Sequence, residues 1–108
     1  MNISRFNSKT AIEAHQNTIL ASDVLPKGMT APFKHAWGYL EGNGIMELHK
    51  HEAEEVYFFF EGNGYVIVDD EKQAVSGGDV VEIPSNSMHT VENQSGKPLL
   101  WAALWWEL

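Results

Sequence analysis

From residue 33 onward the apolar residues fall in short runs, rich in aromatic and β-branched side chains and each closed by a turn signal. The runs occupy residues 33–40, 45–50, 54–60, 65–68, 73–75, 80–83, 89–92 and 99–106. Between them stand Glu41-Gly42-Asn43-Gly44, the same four residue types again at 61–64, an acidic turn at 69–72, Gly77-Gly78-Asp79, Pro84, and a polar segment at 93–98. Asn-Gly accepts the left-handed backbone of tight turns. Short strands in regular succession predict an all-β sandwich or barrel.

Residues 1–25 carry the least signal. Residues 18–21 read as a strand and residues 8–15 as a short helical turn, and Pro26, Gly28 and Pro32 break up the segment that leads to residue 33. We expect one domain over residues 1–108, with the barrel core at about 33–106 behind a short N-terminal extension. The runs at 54–60 and 99–106 are apolar on both faces, and a strand buried on both sides needs a cover on each. A second copy of the chain supplies that cover if the protein is a homodimer, which is the expectation.

Composition narrows the partners. A chain of 108 residues with 44% hydrophobic content can bury a real core. Its net charge of -8 argues against nucleic acid and against anionic membrane surfaces. Arg5 is the single arginine, which disfavours a pocket built to clamp phosphate. The absence of cysteine removes disulfides, thiolate metal sites and a cysteine nucleophile. Residues 1–7 hold no long apolar stretch and no run approaches the roughly 20 apolar residues of a membrane span. The expected location is cytoplasmic.

The chemistry concentrates in His49-Lys50-His51-Glu52-Ala53-Glu54-Glu55. On an extended strand His49 and His51 share a face, about 6.6 Å apart along the chain. Glu55 comes just beyond, and His89 sits in a distant strand-like run. Three imidazoles and one carboxylate suit a first-row divalent metal: Mn(II), Fe(II), Ni(II) or Zn(II). Alternation also puts Glu47 beside His49 and puts Tyr57 and Phe59 on the face of Glu55. Glu47 and Tyr57 are therefore the candidates for acid–base chemistry. His35, Trp37, Tyr39 and Phe59 are candidates to line a pocket. Glu52 and Glu54 read as solvated carboxylates near its mouth, and His15 as a surface residue.

These residues resemble the two signature motifs of the cupin superfamily, GX5HXHX3-4EX6G and GX5PXGX2HX3N. His49, His51, Glu55 and Gly62 match the first; Gly78, Pro84, His89 and Asn93 match the second. Asn43 stands where the first motif opens on glycine, and Asn86 replaces the glycine after the proline. Gly44 stands four residues before His49 rather than five, and because asparagine tolerates a left-handed backbone better than most residues, the change at Asn86 is mild. The match covers residues 43–93 and resembles the small single-domain bacterial cupins. The resemblance implies a double-sheet β-barrel of jelly-roll type, with His49, His51, Glu55 and His89 holding one divalent transition metal per chain. It further implies a small-molecule enzyme of dioxygenase or isomerase, epimerase or lyase type, with a sugar-like or aromatic or carboxylate substrate. The alternatives are a non-catalytic module that binds or senses a small ligand through the metal, and a purely structural metal.

Overall fold

A computed structural model describes residues 1–108. It contains ten strands and no helix: β1 (Ile12–Ala14), β2 (Ile19–Ser22), β3 (Lys34–Leu40), β4 (Gly44–Ile45), β5 (Glu54–Glu61), β6 (Asn63–Val68), β7 (Glu71–Ser76), β8 (Val80–Ile83), β9 (His89–Asn93) and β10 (Leu99–Trp106). They form two antiparallel sheets. One has six strands in the order β1-β2-β3-β10-β5-β8, the other four in the order β4-β9-β6-β7. The all-β double-sheet architecture is the one the strand pattern predicts, although the two sheets do not close into one continuous ladder.

The core follows from strand parity. Trp101, Phe59 and Gly38 sit opposite one another in the ladders that join β10 to β5 and to β3. Antiparallel partners point to the same face. That face looks inward, where Trp101 and Phe59 are buried with Leu40, Leu99, Val91 and Ile83 in one cluster. Gly38 is required there, because a Cβ at that position would run into the Trp101 indole. The opposite face of the same sheet carries Trp37, Tyr39 and Phe60. Phe6 of the N-terminal extension lies over it, with its ring 5.1 Å from Tyr39 and 6.1 Å from Trp37.

The two asparagines at motif-glycine positions adopt the backbone a glycine would: φ is 68° at Asn43 and 63° at Asn86. Gly62, between β5 and β6, has φ 94°, and a Cβ there would meet the Pro98 carbonyl.

Two predicted elements differ. The helical turn expected within residues 8–15 is confined to 8–10, where Ala11 N–H donates to the Asn7 carbonyl at 3.1 Å, and residues 12–14 form β1 instead. The expected strand over 45–50 stops at Ile45. Gly44 and Ile45 pair with Asn93 and Glu92, and Met46 N–H donates to the Val91 carbonyl. The next contact of this segment with β9 is an isolated bridge, His49 to His89. The register has slipped by one residue, as at a bulge, and a bulge re-aims the side chains beyond it. Met46 is buried inward, so unbroken alternation would bury Leu48 and expose His49. The slip does the reverse: Leu48 is 56% exposed and His49 turns in.

Candidate metal centre

The slipped segment and β9 bring three imidazoles together. Ring centroids are 4.2 Å apart for His49 and His89, 4.9 Å for His51 and His89, and 5.8 Å for His49 and His51. One ligating atom of each lies within 4.8 Å of the other two. Backbone bonds fix the geometry. His49 N–H donates to the His89 carbonyl at 3.1 Å, and His89 N–H returns the bond at 2.9 Å. The loop holding Asn86 closes on His51, whose carbonyl accepts from Asn86 N–H at 2.8 Å.

All three rings are oriented in one way. His49 Nδ1 donates to the Glu47 carbonyl at 2.8 Å, His51 Nδ1 to the Ala53 carbonyl at 2.9 Å, and His89 Nδ1 to the Ser87 carbonyl at 2.9 Å. A carbonyl oxygen only accepts, so each Nδ1 carries the proton and each neutral ring is left with a lone pair on Nε2. This is how metal-binding histidines are held. His89 is fully buried and its Nε2 has no hydrogen-bond partner. Burial lowers the pKa of His49, outweighing the carbonyl of Glu47, which raises it. Desolvation thus favours the neutral, ligating form.

Glu55, buried on β5, aims Oε1 at the same point. It lies 3.0 Å from His51 Nε2 and 3.4 Å from His89 Nε2. Beside the cluster opens a cavity of about 400 Å³. Its walls include His49, His51, Glu55, Tyr57, Trp101 and Trp105, and are mainly hydrophobic. Tyr57 is buried, 6.3 Å from the His89 ring, and burial first and Glu55 second push its hydroxyl well above the usual phenol range.

The structure thus gathers His49, His51, Glu55, His89 and Tyr57. Glu52 is exposed at the cavity wall, and Glu54 instead accepts from the Trp106 indole N–H at 3.2 Å. Three of the expected pocket residues lie elsewhere. His35 is on the outer face of β3, where its Nδ1 accepts from Val24 N–H at 3.0 Å, and Tyr39 is on that face under Phe6. Phe59 points inward but sits deeper, packed on Trp101 in the core. Trp37 does form part of the cavity wall, yet its ring packs against Phe60 and Phe6 on the outer side. The slip in register separates Glu47 from His49: its carboxylate is absent from the cavity wall and lies 3.8 Å from His15 Nδ1.

His15 is the residue sequence reasoning missed. It lines the cavity, with its ring 4.3 Å from that of His49. Burial lowers its pKa more strongly than Glu47 and Glu55 raise it. Nothing in the local sequence marks it, because the β1–β2 hairpin, paired to β3 and bonded through Thr18 to Glu47, brings it there from more than thirty positions away.

The family model of the cupin domain matches residues 36–107. The chain therefore belongs to the cupin domain family. It is 43% identical over 53 residues to an uncharacterised protein of Methanocaldococcus jannaschii, a match that spans 48% of this chain and 42% of that protein. The chain thus accounts for less than half of that relative's length. Among solved structures, it resembles a cupin 2 conserved barrel domain protein from Salinispora arenicola, with a TM-score of 0.87 at 23% identity over 99% of this chain and 89% of that one. A protein of Photorhabdus luminescens gives the same TM-score and coverage at 28% identity.

Proposed function

We propose that this cupin is a metal-dependent enzyme acting on a small molecule, with one divalent transition metal per chain held by His49, His51, His89 and Glu55. The observation that carries this reading is the common orientation of the three rings, each with Nδ1 on a backbone carbonyl. Three Nε2 lone pairs are turned toward one another and toward a carboxylate, and the buried Nε2 of His89 has no partner. Acceptors assembled without a donor are costly unless a cation lies among them. The donor set fits Mn(II), Fe(II), Ni(II) or Zn(II) and leaves coordination positions free for a ligand.

A bound metal of this kind supplies Lewis-acid polarisation of a substrate oxygen, and with iron, reaction with O2. The chain's own residues do the rest. Tyr57 keeps its proton across the working range, so it serves as a hydrogen-bond donor on the cavity wall. Trp101 and Trp105 provide apolar walls that exclude water, which suits a small aromatic or carboxylate substrate. Elemental analysis of the purified protein, followed by turnover screens with the metal found, tests this. Oxygen uptake with iron selects a dioxygenase; turnover with manganese, nickel or zinc selects isomerase, epimerase or lyase chemistry. Stabilisation by a ligand without turnover selects the binding module instead. A chain that takes up none of these metals overturns the reading.

The protein is further proposed to work as a homodimer through the outer face of the six-stranded sheet. On that face Phe60 is 57% and Val80 59% exposed, beside Phe58 and Val56 on the same strand side. Exposed apolar side chains grouped on one sheet face are the kind of surface that a second chain can cover.

A further inference from the structure

The β1–β2 hairpin lies outside both signature motifs, yet it is built onto the metal centre. Its turn residues His15, Gln16 and Asn17 all have left-handed backbones, with φ of 51°, 57° and 62°. Three such residues in succession, only one of them asparagine, do not persist without support. The support comes from Thr18. Its amide donates to the carbonyl of Ala14 at 3.1 Å and its hydroxyl to that of His15 at 2.6 Å, while the same hydroxyl oxygen accepts from Glu47 N–H at 2.9 Å. The turn is thereby tied to the backbone two residues ahead of His49. The outcome is an imidazole at the cavity wall, 4.3 Å from the His49 ring.

The orientation of the ring narrows its use. Nδ1 is turned toward the Glu47 carboxylate at 3.8 Å, too far for a hydrogen bond but near enough to favour the proton on that nitrogen. Nε2 is then an acceptor. An acceptor beside a metal centre matches a ligand that carries an O–H donor next to its coordinating oxygen.

We propose that His15 is a ligand-binding residue of this centre, whose Nε2 accepts a hydrogen bond from the hydroxyl of a small α-hydroxy acid or similar hydroxy-carbonyl compound coordinated at His49, His51, His89 and Glu55. This deepens, and rests on, the metal-dependent reading above. It places the determinant of the hydroxyl on the N-terminal hairpin, while the Tyr57, Trp101 and Trp105 walls accommodate the apolar remainder of the ligand.

The test uses the full chain loaded with Co(II), whose visible spectrum reports both metal uptake and ligand binding. Mandelate and phenylacetate, which differ only by the α-hydroxyl, are the probes. They are titrated against the unaltered protein, His15→Leu and His15→Gln. His15→Leu is expected to hold Co(II) as well as the unaltered protein and to bind phenylacetate equally well. It is expected to lose about tenfold or more in mandelate affinity, the loss of one hydrogen bond to a polarised group. His15→Gln keeps an acceptor and recovers part of the loss. Unchanged mandelate affinity in His15→Leu overturns the proposal, and so does an equal loss for both probes, which makes the ring a steric wall. A weaker hold on Co(II) overturns it in favour of His15 as a metal ligand. Failure of both probes to bind the Co(II)-loaded protein overturns it as well. Failure of the unaltered protein to take up Co(II) is a separate result that sinks the metal-centre reading itself.

Discussion

Nε2 of His51 lies 3.0 Å from Oε1 of Glu55 while the other nitrogen of the same ring donates to the Ala53 carbonyl. In the neutral ring this sets a lone pair against a carboxylate. Only a proton or a cation between them makes the contact favourable. Glu55→Gln discriminates between a site made for metal and an ordinary ion pair. The amide of glutamine donates to Nε2, so the metal-free variant should be more stable than the metal-free parent by about 1 kcal/mol, several degrees in Tm. Its metal affinity should fall by at least about tenfold. Thermal melts with and without chelator, together with metal titrations, read both effects. A variant that melts lower when metal-free contradicts the assignment.

His51→Ala should lose most bound metal while keeping a folded double sheet. His51 sits at the rim, about one-third exposed, and its ring is no part of the hydrophobic cluster. Elemental analysis per chain and near-ultraviolet circular dichroism check the two halves. Full occupancy in a folded variant would remove His51 from the ligand set.

Acid should destabilise the metal-free protein before it reaches the carboxylates. Burial holds the pKa of His49 and of His15 below 6.5 in the folded state. As pH falls through about 6.5, the unfolded chain takes up protons that the folded chain refuses. Stability is therefore full above that value and declines below it, until the folded rings titrate. Melts of chelator-treated protein between about pH 7.5 and pH 5 should show the decline, and His49→Gln should reduce its slope. Added metal should move the decline to lower pH, because it binds only the neutral rings.

Much of the fold and of the site is legible in the sequence, and the rest is hidden for physical reasons. Strands 80–83 and 99–106 can be read to the residue, since short apolar runs bounded by turn residues leave little choice. Asn43 and Asn86 are recognisable as glycine substitutes, and both backbones are left-handed. Parity fails wherever the ladder slips. Nothing in Met46-Glu47-Leu48-His49 announces the extra residue opposite β9, so alternation groups Glu47 with His49 when Met46 is the true face-mate of His49. His35, Tyr39 and Trp37 do alternate together as expected, but alternation gives two faces without saying which is inner. Gly38 decides it, because only the face with a glycine admits Trp101. His15 depends on strand pairing across the chain, which no local pattern carries.

Phe60→Lys should convert the proposed dimer to a monomer. A charge at an exposed position of the outer face costs the monomer little but is unpaired when buried in an interface. Sedimentation velocity on the parent and the variant gives the answer. A parent that sediments as a monomer across micromolar concentrations would leave the outer face without a partner copy.

Gly38→Ala tests whether the cavity floor is as tightly fitted as the packing implies. The added methyl would meet the Trp101 indole, which is 1% exposed. Trp101 cannot simply step aside, for Tyr57 and Phe59 hold it with ring centroids 5.9 and 5.8 Å away. One direction of relief pushes the sheet strands apart; the other pushes the indole into the cavity beside the histidines. Overpacking of this kind costs about 1–3 kcal/mol. The expected results are a Tm lower by several degrees and weaker ligand binding with metal affinity unchanged, since the added methyl first meets the Trp101 indole rather than a ligating side chain. A variant with the parent's Tm would mean that β3 and β10 have slack that the ladder between them does not suggest.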